Sequence, residues 1–278
     1  MTMPIESRIQ QLIQQSKALT VGVAAHRLSD DDEILINADQ SFHAASTIKL
    51  CIMMEVFRQR RQGRFSLDDP VVIKNEFASI ADGSRYSLQA EDDSEQGLYD
   101  CIGRTLQRRE LVYRMITESS NLATNLLIEE LRPEEINEFM RELGADGLIT
   151  LRGVEDKAAY RLGMNNTATA RSLAQALLKL ARNEVVSTED SREMVRILCE
   201  QKFNEMIPAG LPPGTRVAHK TGSTGDYFHD AGIVYAPDGQ TFVLAILTKG
   251  YPEEDEAAAH AFAASIANAI YDHWHPAA

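Results

Sequence analysis

Three short polar segments, Ser46-Thr47-Ile48-Lys49, Ser119-Ser120-Asn121 and Lys220-Thr221-Gly222, fall in that order along the chain and constrain it more than any other feature. Together they supply every group an acyl-transferring serine needs. A serine hydroxyl is a poor nucleophile at neutral pH and must lose its proton to a neighbour as it attacks; a lysine three residues on can take it. Residues 46–60 read as a helix that opens on a capping-type serine or threonine and carries Leu50, Met53, Met54 and Phe57 on one face. Positions i and i+3 share a face, so Ser46 and Lys49 stack at its N-terminus, where free N–H groups favour developing negative charge. The second segment lies between the apolar stretches Leu111, Met115, Ile116 and Leu122, Leu126, Leu127, Ile128, at a turn between helices. The third ends the alternating run Arg216-Val217-Ala218-His219, which reads as a strand. Each segment alone is an ordinary helix start or strand end. Their joint occurrence, each in the right local setting, is not ordinary.

In this set and order the chain resembles the class A β-lactamases and the wider family of penicillin-recognising serine enzymes, whose segments are Ser-x-x-Lys, Ser-Asp-Asn and Lys-Thr-Gly. The likeness extends over nearly the whole chain: an N-terminal helix at 5–16, a hairpin at 19–26 and 33–37, and two late strands before a C-terminal helix. It implies an α/β (α+β) fold of two lobes, an antiparallel sheet flanked by the terminal helices (1–45 with 207–278) and a mainly helical lobe (46–206). It also implies roles. Ser46 would be acylated with Lys49 as its base or proton relay, and Ser119 would pass a proton to the leaving nitrogen. Asn121 would hold a substrate amide, while Lys220, Thr221 and Ser223 would receive a carboxylate. The backbone N–H groups of Ser46 and Ser223 would form the oxyanion hole. Lys220 would help keep Lys49 neutral, since a second ammonium nearby disfavours the charged form. Asn125 would support the loop that carries Glu155, the base for the deacylating water. A β-lactam-opening serine hydrolase is the reaction implied. A related serine esterase, amidase or peptidase, or a slow-turnover penicillin-binding module, are the alternatives.

The pattern is not followed everywhere. The loop Arg152-Gly153-Val154-Glu155-Asp156-Lys157 is a little short, and no proline follows its glutamate. Asn166 stands where an aspartate would pair with the loop arginine, and Asn166 or Thr167 is expected to cap the next helix. On the strand after Lys-Thr-Gly, Asp230 stands near the place of a carboxylate-binding arginine, beside His229, and would bring the opposite charge to the cleft.

Composition sets the outer bounds. The chain has 278 residues, 44% of them hydrophobic, enough for a sizeable core, and no internal repeat. Its net charge of −13 argues against nucleic acid or an anionic membrane as partner. A small molecule is the expected partner and a monomer the expected state. Cys51, Cys101 and Cys199 give neither a disulfide framework nor a zinc spacing, so no metal and no cofactor are expected. The segment from Met1 to Arg8 has no apolar leader, which places the chain in the cytoplasm as written, or outside it if a leader has been removed.

Overall fold

The structure, a computed structural model, describes residues 3–276; Met1 and Thr2 of the N-terminal segment lie outside the described residues. Its centre is a five-stranded antiparallel sheet: β1 (Thr20–Arg27), β2 (Glu33–Ile36), β3 (Arg216–Thr224), β4 (Tyr227–Tyr235) and β5 (Thr241–Lys249), in the spatial order β2-β1-β5-β4-β3. The first strands of the chain therefore close on its last, with Thr20 opposite Lys249 and Arg27 opposite Phe242.

Strand parity sorts the side chains onto two faces. Val21 and Val23 of β1 and Phe242, Leu244 and Ile246 of β5 point to one face, where they meet Ile5 and Ile9 of α1 (Ile5–Gln15) and Ile266, Ile270 and Trp274 of α9 (Glu256–Trp274). The other face, with Ala24, Ile233, Val243, Ala245 and Leu247, joins the core of the helical part. That part contains α2 (Lys49–Arg61), α3 (Arg108–Thr117), α4 (Asn121–Glu130), α5 (Pro133–Glu142), the short α6 (Lys157–Arg161), α7 (Ala170–Ala181) and α8 (Thr188–Leu198). Full burial of each such aliphatic side chain contributes roughly 1.5–3 kcal/mol of transfer free energy.

The helix after Ser46 departs from its expected form. Residues Ala45–Ile48 make a 3₁₀ turn, with no side-chain cap, and the α-helix begins only at Lys49. It is buried on all sides from Lys49 to Phe57 rather than on one face, because it runs through the middle of the helical part. Even Glu55 is inside, held by Arg58 at 2.7 Å and by Gln59 at 2.6 Å.

Two further expectations are corrected. Neither Asn166 nor Thr167 caps α7; Thr169 does, its hydroxyl accepting from the Ser172 N–H at 3.1 Å. The strand bearing Lys220 does not end there but continues to Thr224, which lays Thr221, Gly222 and Ser223 along the sheet edge. Gly222 is required at that edge. A Cβ on it would stand 2.8 Å from the Ser46 nitrogen and 2.9 Å from that of Thr47, closer than such atoms pack, so only glycine lets β3 lie against the start of the Ser46 turn.

Candidate active site

The three segments converge. Ser46 sits on the 3₁₀ turn, Ser119 and Asn121 come from the break between α3 and α4, and Lys220 to Ser223 come from edge strand β3. Ser46, Asn121 and Ser223 also line an adjoining cavity of about 350 Å³ with Glu155, His43, Arg152 and Tyr160. Three positions here hold left-handed backbone without being glycine: Ala45 (φ 46°), Ser119 (φ 56°) and Glu155 (φ 60°). Each such residue costs of order 1–3 kcal/mol and persists only where the surroundings fix it, as at functional sites.

Lys49 is fully buried, yet its side-chain amine forms no hydrogen bond with Ser46. Its ammonium nitrogen lies 2.7 Å from the Ser119 carbonyl, 2.8 Å from Asn121 Oδ1 and 3.2 Å from Ser119 Oγ. Lys220, equally buried, donates to the same Ser119 hydroxyl at 3.1 Å and to the Thr221 carbonyl at 2.9 Å. One hydroxyl thus bridges two amines. Burial pushes Lys49 down to about 7, against the pull of the Asp93 and Glu155 carboxylates. Burial also drives Lys220 well below its ordinary range, helped by the charge of Lys49 and opposed by Asp230. Desolvation is therefore the first cause of a neutral amine here, and the repulsion expected to act on Lys49 weighs on Lys220.

The glutamate loop is tied to the same centre. Asn121 Nδ2 donates to Glu155 Oε1 at 2.9 Å, so one asparagine connects Lys49 to Glu155. Burial raises the Glu155 pKa; the Asn121 N–H opposes this, and the carboxylates of Asp93 and Asp92 add to the rise. Asn125 grips the loop from α4, accepting from the Val154 N–H at 2.7 Å and donating to its carbonyl at 3.0 Å. Asn166 holds the loop backbone instead of the arginine head, accepting from the N–H groups of Leu151 and Arg152 and donating to the Arg152 carbonyl. The guanidinium reaches Asn165 Oδ1 at 3.2 Å and the Met164 carbonyl at 2.9 Å.

Asp230 does not enter the cleft. It is fully buried on the sheet face that meets the terminal helices, opposite in parity to Lys220, and it accepts from the Ile207 N–H at 3.0 Å. Its imidazole partner is His219, at 2.9 Å, not His229. His229 lies on the other face, where Nε2 meets the His43 carbonyl at 2.9 Å, and burial pushes its pKa down to about 4.

Sequence reading missed Asp93. Its buried carboxylate accepts from the backbone N–H groups of Asn121 and Leu122, at 2.9–3.0 Å, and from the Tyr99 hydroxyl at 3.0 Å. It stabilises the N-terminus of α4 where its dipole is positive. No local pattern marks it, because the segment reaches α4 from elsewhere in the chain. Also missed were Asp92, Glu205, Glu256 and His260, which line the cleft beyond Ser119 and Thr221 with no arginine among them.

A partly exposed serine beside two buried, proton-poor lysines, with a half-buried carboxylate one asparagine away, defines a serine acyl-transfer enzyme. The chain belongs to the beta-lactamase enzyme family, whose model matches residues 4–274, and it is a hydrolase. Among curated relatives, the extended-spectrum beta-lactamase PER-1 of Pseudomonas aeruginosa is 24% identical over 285 residues, covering 96% of this chain and 86% of that protein. A beta-lactamase of Bacteroides uniformis is 27% identical over 282 residues, covering 96% and 90%. Among solved structures, PBP-A superposes with a TM-score of 0.82 at 25% identity, covering 98% of this chain and 96% of that one. A beta-lactamase from Sphaerobacter thermophilus gives 0.80 at 25% identity, covering 99% and 98%. The two-lobe class A fold expected from the sequence is the fold observed.

Proposed function

We propose that the chain opens β-lactam rings through an acyl-enzyme on Ser46, released by water that Glu155 activates. Ser46 Oγ attacks the lactam carbonyl while its proton passes to neutral Lys49. The C–N bond then breaks, and the nitrogen takes a proton from the Ser119 hydroxyl, which Lys49 resupplies with the proton taken from Ser46 while Lys220 holds that hydroxyl in place. Backbone N–H groups of Ser46 and Ser223 stabilise the oxyanion, and among the described residues that of Ser46 has no other partner. Asn121 holds the acyl side-chain amide, and Thr221 and Ser223 the carboxylate. Glu155 then takes a proton from water as it attacks the ester, and Ser46 leaves with a proton returned through Lys49. Asn125 keeps the glutamate in range by pinning Val154.

The observation that carries this reading is the chain of contacts Lys220–Ser119–Lys49–Asn121–Glu155, which links the acylating and deacylating groups around one cavity. A mutant of PBP-A was solved as an acyl-enzyme with penicillin G, consistent with acylation on this scaffold. The acidic lining by Asp92, Glu205 and Glu256 favours a second reading, a serine esterase or amidase acting on a substrate without the carboxylate, or an acylating module that turns over slowly.

Time-resolved intact mass with a penicillin and a chromogenic cephalosporin separates the readings. Rapid hydrolysis by the parent, with a stable adduct accumulating in Glu155→Gln, is expected; Ser46→Ala should show neither. A parent that itself holds the adduct supports the slow module. A parent that never acylates sends the search to esters and amides.

A further inference from the structure

A second cavity, of about 460 Å³, lies at the opposite end of β3 and shares no lining residue with the Ser46 cavity. Three guanidiniums line it: Arg192 and Arg196 on α8, and Arg216 at the first position of β3. Arg192 and Arg196 are one helical turn apart, a like-charge pair that is unfavourable unless something neutralises it. Arg216 stacks over the Tyr235 ring, its strand partner, at 4.5 Å, which leaves the N–H edge of the guanidinium free.

Among the described residues no ion pair supplies the missing negative charge. Among the described residues no carboxylate lines the cavity, and none of the three arginines forms an ion pair, although the chain has 41 acidic residues against 28 basic ones. Of the acids adjacent in sequence, Glu184 is held by Lys179 at 2.7 Å and Glu193 by Arg60 at 3.1 Å, Glu200 accepts from the Tyr113 hydroxyl at 2.7 Å, and Glu189, three residues before Arg192, is exposed; none of the four lines the cavity. Guanidinium forks suit bidentate contact with phosphate or carboxylate oxygens, and the volume is that of a small-molecule site.

We propose that this groove binds a small, multiply charged oxyanion, phosphate-bearing or polycarboxylate, between Arg192, Arg196 and Arg216. The site stands apart from the acyl-transfer machinery. Isothermal titration of the full chain with pyrophosphate, and separately with citrate, at constant ionic strength tests it. Saturable one-to-one binding is expected for at least one probe, weakened about tenfold or more in Arg192→Gln/Arg196→Gln. The variant should still label at Ser46 like the parent, which shows that it is folded. Tighter binding of pyrophosphate points to a phosphate-bearing ligand, and tighter binding of citrate to a polycarboxylate. Absence of saturable binding for both probes, or affinity unchanged in the variant and in Arg216→Gln, overturns the proposal.

Discussion

Burial of the Lys49 amine costs stability. Its folded pKa of about 7 lies below the ordinary 10.5, so the unfolded chain binds the proton more tightly. The penalty is full below pH 7 and fades as pH rises from 7 towards 10.5. Lys49→Met is therefore expected to abolish acylation while raising Tm by about 3–6 °C near pH 7, with the gain shrinking at pH 9; the polar atoms left behind at Ser119 and Asn121 hold the net effect to roughly 1–2 kcal/mol. Calorimetry at the two pH values checks the sign and the trend. In the proposed mechanism Lys49 must be neutral to act, so the acylation rate should rise with pH through about 7. The convergence of Ser46, Lys49 and Lys220 was legible in the sequence, since each belongs to one of three short segments that occur together and in order. Asp230 was misread as a cleft charge because parity alone decides which face of a strand a residue occupies, and one position separates it from the opposite face.

At the level of elements, the site depends on how the start of α4 is anchored. Asp93 does this from a distant loop, and its carboxylate also pulls the Lys49 pKa upward. Asp93→Asn should destabilise the protein by about 1–2 kcal/mol through the weakened helix terminus. The same change should move the rise of the acylation rate to lower pH, because less negative charge holds the Lys49 proton. A pH profile that does not move would separate the structural role from the electrostatic one. The hairpin, the terminal helices and the late strands were legible through the likeness to the class A β-lactamases, but Asp93 was not, because an anchor that arrives through tertiary contact leaves no mark on the sequence around it. The cap of α7 was misplaced by two or three residues for a related reason: Asn166, a good cap by type, is engaged by the backbone at Leu151 and Arg152, which leaves the task to Thr169.

For the whole molecule, the net charge of −13 is not spread evenly around the cleft: Asp92, Glu205, Glu253 and Glu256 line its mouth against one cation, Lys157. An anionic β-lactam approaches against this field, and added salt shortens its reach. The second-order rate of Ser46 acylation by a penicillin should rise about two- to fivefold between low salt and 0.3 M, where a substrate with a cationic leaving side should slow. Stopped-flow measurement with both substrates decides; the same salt response for the two would remove the acidic mouth as a selector. The topology has a consequence of its own in time. β1 takes β5 as its second neighbour, so the hairpin made first on the ribosome keeps an open edge until nearly the whole chain has been synthesised. Folding of the sheet must then wait for its last strand, and a nascent chain stalled before residue 241 would carry an unpaired, aggregation-prone edge.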